Sequence, residues 1–161
     1  MALQKSTLAQ KLEQQFGAKP ASSAQAASDW ASAYVSYAAA AMSTGGSLPI
    51  TAMASQSLLV AAFTAAFQTQ SSSGAAAAMA QGVAGFWTAM VWIGPGMVGT
   101  TVFPGNSTLS SALAQIFGDT SQQSDADKAQ ALADAFDAGA KMVMVNDVQV
   151  PPLPPIMGPI S

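Results

Sequence analysis

Apolar residues along this chain fall at helical intervals, and the intervals recur. Leu8, Leu12 and Phe16 are spaced i, i+4, i+8; so are Leu59, Phe63 and Phe67, and again Leu109, Leu113 and Phe117. That spacing places each set on one face of a helix. The first and third sets share their setting as well: Ser6-Thr7 precedes one and Ser107-Thr108 the other, with Gly17 and Gly118 after them. A second pattern follows each set. Trp30-Ala31-Ser32-Ala33-Tyr34, Gly82-Val83-Ala84-Gly85-Phe86 and Leu132-Ala133-Asp134-Ala135-Phe136 align at nearly the same period. Two patterns sharing one period of about fifty residues describe three copies of a single unit.

Each unit predicts a helix, a turn, a longer helix and an extended connection. The first helices are expected over 6–17, 55–68 and 107–118, and the second over 22–42, 73–93 and 124–143. Gly17 and Gly118 are candidates for positive φ at helix ends. Ser22 with Gln25 fits a capping box, and 71–73 and 120–124 offer further caps. The connections at 43–50, 94–106 and 147–161 are rich in Gly and Pro, which stop helices. Thr100 to Phe103 and Val143 to Val150 are β-prone, so a little strand is expected there. A two-helix unit cannot bury its apolar face alone, so the units must stack. The predicted fold is an all-α bundle of three helix-turn-helix repeats, at 1–50, 51–105 and 106–146, with a Pro-rich arm at 147–161.

Charge sharpens this picture. The chain has 161 residues, 50% hydrophobic and only 8% charged, against roughly 25% in ordinary globular chains. All of its charge lies before Trp30 or after Gly118, and the middle repeat has none. Something must cover such a middle: the rest of the chain, other subunits or lipid. A net charge of −3 argues against a nucleic-acid surface. The start of the chain lacks the apolar core of a secretory leader.

Candidate chemistry is sparse. With no His and no Cys, the commonest general base, thiolate nucleophiles and the usual zinc ligands are missing. Gly94-Pro95-Gly96-Met97-Val98-Gly99 matches GxGxxG, but a dinucleotide site needs that loop between a strand and a helix. Here a helix is expected before it and β-branched residues follow, so it reads as a plain loop. Asp125 and Asp127 suit the first turn of a helix, and Asp137 with Lys141 makes an i, i+4 pair. These acids read as a solvated helix face rather than a metal or acid–base site. Asn106-Ser107-Thr108 is a glycosylation sequon that the repeat already explains. Pro151 to Pro155 has PxxP spacing without a nearby basic residue. No catalytic residue, cofactor or metal site is expected.

The Met-Ala-Leu-x-Lys start, the Ala-rich Leu-x-x-x-Leu-x-x-x-Phe helix, the helix with Leu132-Ala133-Asp134-Ala135-Phe136-Asp137 and the ending Gly158-Pro159-Ile160-Ser161 resemble small virion structural proteins of tailed bacteriophages. The likeness covers mainly residues 1–17 and 107–161. Its departures are a Pro-rich tail in place of a Gly/Thr-rich one, and three units in place of one. The resemblance implies a non-enzymatic component of tail, baseplate or neck, assembled in the host cytoplasm, whose partners are other virion proteins and copies of itself. The expected contact residues are Trp87 and Trp92 in the neutral repeat and Leu153, Ile156 and Ile160 in the arm. Two rivals remain. One is a membrane-active, holin-like or pore-forming helical protein built on the apolar run 82–103, which the Gly94-Pro95-Gly96 break and the lack of flanking cations disfavour. The other is a small-molecule-binding bundle with a pocket near Trp30, Tyr34 and Tyr37.

Overall fold

A computed structural model describes residues 3–18, 20–121, 123–149 and 156–161. Six helices form three consecutive pairs: α1 (Lys5–Gly17) with α2 (Ser23–Ala38), α3 (Gln56–Gln68) with α4 (Ser72–Thr88), and α5 (Asn106–Gly118) with α6 (Asp125–Ala140). Each helix packs on the next in chain order, and α6 packs back on α1, so the six close into a ring. Leu8, Leu12, Leu59, Phe63, Leu109 and Leu113 are all buried, as their i, i+4 spacing requires. Helices α2, α4 and α6 are the more enclosed member of each pair. From them the repeat-equivalent rings of Tyr34, Phe86 and Phe136 meet inside the bundle. Tyr34 lies 5.7 Å from Phe86 and 5.2 Å from Phe136, in the tilted and edge-on geometries that aromatic quadrupoles favour.

The helix ends differ in detail from expectation. Ser22 and Ser71 cap α2 and α4 by accepting from Gln25 and Gly74 backbone N–H groups at 3.1 Å each. Gln25 turns to Asp29 instead of closing a capping box. A reciprocal box forms at Ser124 and Asp127, at the start of α6. Gly17 and Gly118 are the last helical residues of α1 and α5 and have no positive φ; among the described residues only Gly46 and Gly96 do.

The all-α expectation is wrong. Five strands, β1 (Leu48–Pro49), β2 (Trp92–Gly94), β3 (Met97–Val102), β4 (Met144–Gln149) and β5 (Ile156–Pro159), form one antiparallel sheet in the order β1-β2-β3-β4-β5. The fold is mixed α and β. Its strands come from the connections of all three repeats, and no local stretch shows that residues near 48, 93, 98 and 148 will pair. The GxGxxG segment is the β2–β3 hairpin. Pro95-Gly96 forms its turn, with Gly96 at φ 70° in the Pro-then-Gly order of a type II turn. In its described parts the expected arm at 147–161 is the end of β4 and the whole of β5, both inside the sheet, followed by Ile160 and Ser161. Ser161 exchanges two backbone hydrogen bonds with Met42, at 3.0 and 3.1 Å, which ties the chain's last residue to the connection after α2.

The sheet lies where α2, α4 and α6 finish, since each of these helices leads into a strand. Register sorts its two faces. Pro49, Trp92, Gly99, Asp147 and Ile156 are successive cross-strand partners in one inward row. Leu48, Ile93, Val98 and Val148 form the neighbouring outward row.

Tyr34 and Tyr37 are the chain's only tyrosines, and both are buried. The Tyr34 hydroxyl accepts from the Trp87 indole N–H at 2.8 Å, and the Tyr37 hydroxyl donates to Asp137 at 2.7 Å. Burial, and for Tyr37 also that donation, holds both phenols above the ordinary range. An unfolded tyrosine ionises near pH 10 while these stay neutral. Their contribution is therefore fully present below about pH 10 and is lost as pH rises from there toward the folded values. Tyrosinate absorbance near 295 nm is expected to appear together with loss of helical circular dichroism, in one alkaline transition. A gradual rise near pH 10 with the fold intact would contradict this burial.

Candidate interaction surface

The outer face of the sheet is the most unusual surface of the molecule. Every exposed large hydrophobic residue among those described lies on it or at its β1–α3 corner. Leu48, Ile93, Val98 and Val148 run side by side across four strands, each between 45% and 48% exposed. Val102 and Met157 extend the patch at 58% and 62%. Ile50, Met53, Leu58 and Val91 carry it around the corner, where the Ile50 N–H donates to the Val91 carbonyl. No charged side chain stands among them. Thr100 and Asn146, paired on the same face between Val98 and Val102, are polar but uncharged. Monomeric soluble proteins rarely leave a largely apolar, uncharged face of this extent uncovered.

Charge is gathered elsewhere. Lys5, Lys11 and Glu13 lie on α1, Asp29 on α2, and Asp125, Asp127, Lys128, Asp134 and Asp137 on α6. Lys5 and Asp134 pair at 2.7 Å across the α1–α6 seam that closes the ring. This contact holds the Asp134 carboxyl below its usual range. The pair is half exposed, so water screens it and it adds little to stability. Asp137 pairs with Lys141 at 2.7 Å, as its spacing predicts, but it is buried rather than solvated because it also accepts from Tyr37.

Asp147 is the other departure from a plain scaffold. It is 1% exposed on the inward row of β4. Its Oδ2 accepts from the Ser43 hydroxyl at 2.5 Å, and Ser43 Oγ in turn accepts from the Ser47 backbone N–H at 2.8 Å. Asp147 Oδ1 and Ser47 Oγ have no hydrogen-bond partner among the described residues. Gly45 and Gly99 enclose the carboxylate: a Cβ on Gly45 would strike Oδ2, and one on Gly99 would lie 2.5 Å from Oδ1. Enclosed in this way, the carboxylate cannot meet a substrate. It anchors the 43–47 connection to the sheet. Among the described residues no group of three acids, His or Cys could hold a metal ion.

The contact residues expected from sequence fall mostly inside. Trp87 and Trp92 are fully buried in their own chain, and this corrects their expected role as contacts with neighbours. Their rings stack at 6.2 Å across the junction of helix bundle and sheet, and the Trp92 indole N–H donates to Thr101 Oγ1 at 2.7 Å. Large apolar residues in a neutral segment suit a core as well as an interface, and here the sheet supplies the cover. Ile160 is buried and Ile156 is half-buried on the inward row beside Asp147. Leu153 and the PxxP run lie outside the described residues. Sequence reasoning missed Leu48, Ile93, Val98, Val102 and Met157. The available signal was that each alternation of the β-prone segments carries apolar residues, such as Val98 and Val102 on one and Val145 on the other, so neither face is wholly polar.

At Tyr34 and Tyr37 the rings are packed and the hydroxyls bonded, so the pocket expected there is filled. A cavity of about 190 Å³ lies nearby between Trp30, Phe16, Ile116, Phe117, Lys128 and Leu132. Ligand pockets usually hold about 300 Å³ or more. No described helix is long and apolar enough to cross a membrane. The chain matches no protein-family model, no curated protein and no solved structure.

Proposed function

We propose that this chain is a non-enzymatic structural component of a multi-subunit assembly, of the tail, baseplate or neck kind that its resemblance to tailed-phage virion proteins implies. It docks through the outer face of its sheet, with its charged helices α1 and α6 turned away from that contact. The observation that carries this reading is the uncharged row Leu48, Ile93, Val98 and Val148, exposed on a fold whose aromatic core is already complete. Depletion of charge at the contact is the compositional mark of interface cores.

The test follows the chain in the cells that make it. After lysis and density-gradient separation, the chain is expected to travel with particles, and the variant Ile93→Asp/Val98→Asp to stay in the soluble fraction. Both substituted side chains are about half exposed in the isolated fold, so the variant retains its helices. A native chain absent from particles, or a variant that enters them as well as the native chain does, would refute the reading.

A further inference from the structure

We infer that the outer sheet face is a homotypic contact: two copies of this chain pack sheet on sheet about a twofold axis. This rests on the reading of that face as a docking surface and names its occupant.

Three observations favour a second copy. First, the face carries no charge that would select a partner of opposite sign, and the chain's own outer row is itself an uncharged apolar surface. A twofold axis through the face sets Ile93 and Val98 of one copy against the same row of the other. That arrangement is isologous, the commonest symmetry of soluble oligomers. Second, the area suffices. Strands of two, three, six, six and four residues, about 4.8 Å apart and rising about 3.3 Å per residue, give a face of roughly 330 Å². With the Ile50–Leu58 corner, a pair of such faces buries on the order of 1,000 Å², the lower bound for a specific interface. Third, edge-to-edge pairing is hindered. β1 has two residues, one of them Pro49, and beyond β5 Ser161 is bonded to Met42. Short strands and Pro discourage edge pairing, while aligned stacking of faces about 10 Å apart stays open.

The experiment is sedimentation equilibrium of the isolated full chain, without detergent, across a hundredfold range of concentration. The native chain is expected to approach twice its 16.2 kDa mass as concentration rises. Val98→Asp and, separately, Ile93→Asp are expected to stay at the single mass with unchanged circular dichroism. Gln14→Asp, on the exposed side of α1, is expected to dimerise like the native chain. A native chain that stays monomeric throughout overturns the inference, as does a dimer indifferent to both face variants. Flotation of the native chain with phosphatidylcholine vesicles, lost in Val98→Asp, would give the face to lipid and likewise overturn it. A monomeric native chain whose face variants still fail to enter particles would sink the homotypic contact and leave the assembly reading standing. A face-dependent dimer whose variants enter particles normally would do the reverse.

Discussion

Phe86→Ala is expected to destabilise the fold by about 3–5 kcal/mol, the range for truncating a fully buried aromatic. Phe86 is 0% exposed, and its ring lies 5.7 Å from Tyr34 and 5.4 Å from Trp87. It belongs to the middle of three repeats, so the cavity opens where all three helix pairs meet. Neighbouring rings are held by the Trp87–Tyr34 and Tyr37–Asp137 hydrogen bonds and cannot readily fill the gap. In urea unfolding the midpoint is expected to fall with little change in slope. The melting temperature should drop on the order of 10 °C, at about 2–4 °C per kcal/mol for a chain of this size. Val98→Ala on the outer face provides the contrast, with a change within about 0.5 kcal/mol. Equal costs at the two positions would contradict the division into core and docking face.

Substitutions in the cradle of Asp147 give the second large effect. A Cβ on Gly99 would lie 2.5 Å from Asp147 Oδ1, 2.8 Å from a Val145 methyl and 2.9 Å from the Trp92 Cβ. Three neighbours on the two flanking strands cannot all yield, so Gly99→Ala is expected to cost about 1–3 kcal/mol, as overpacking does. Gly45 is different, because the three atoms nearest a Cβ there all belong to Asp147. Gly45→Ala should therefore be costly in the native background and nearly neutral beside Asp147→Ala. A double-mutant cycle by urea unfolding measures that coupling directly. Strict additivity of the two changes would show that the carboxylate does not anchor the 43–47 connection.

The sequence revealed the helices because their signals are local. Leu8, Leu12 and Phe16 lie within three turns, and the same spacing at 59–67 and 109–117 repeats the message. The inner rings at Tyr34, Phe86 and Phe136 were legible for the same reason. The sheet was hidden because its signals are short and its pairings distant. β1 has two residues and looks like plain loop because of Pro49, while Trp92 and Ile93 of the three-residue β2 fall at the end of the helix expected over 73–93, which in fact stops at Thr88. Val98 pairs with Val148 across an entire helix pair, and no periodicity announces such a contact. Trp87 and Trp92 follow from the same cause: a helical pattern alone offers them no cover, and the sheet that buries them is not visible in it. The neutral middle repeat does carry exposed apolar side chains, but they are the modest Ile93 and Val98 rather than the large indoles, which are buried.

The most direct measurement uses the absence of native cysteine. Val98→Cys and Gln14→Cys each place a single thiol, one on the outer sheet face and one on the exposed side of α1. Maleimide labelling rates are compared between the dissociated chain and the assembled state. The account predicts that assembly shields position 98 strongly and leaves position 14 as reactive as before. Equal reactivity at position 98 in both states, or shielding at position 14 alone, would contradict docking through the sheet.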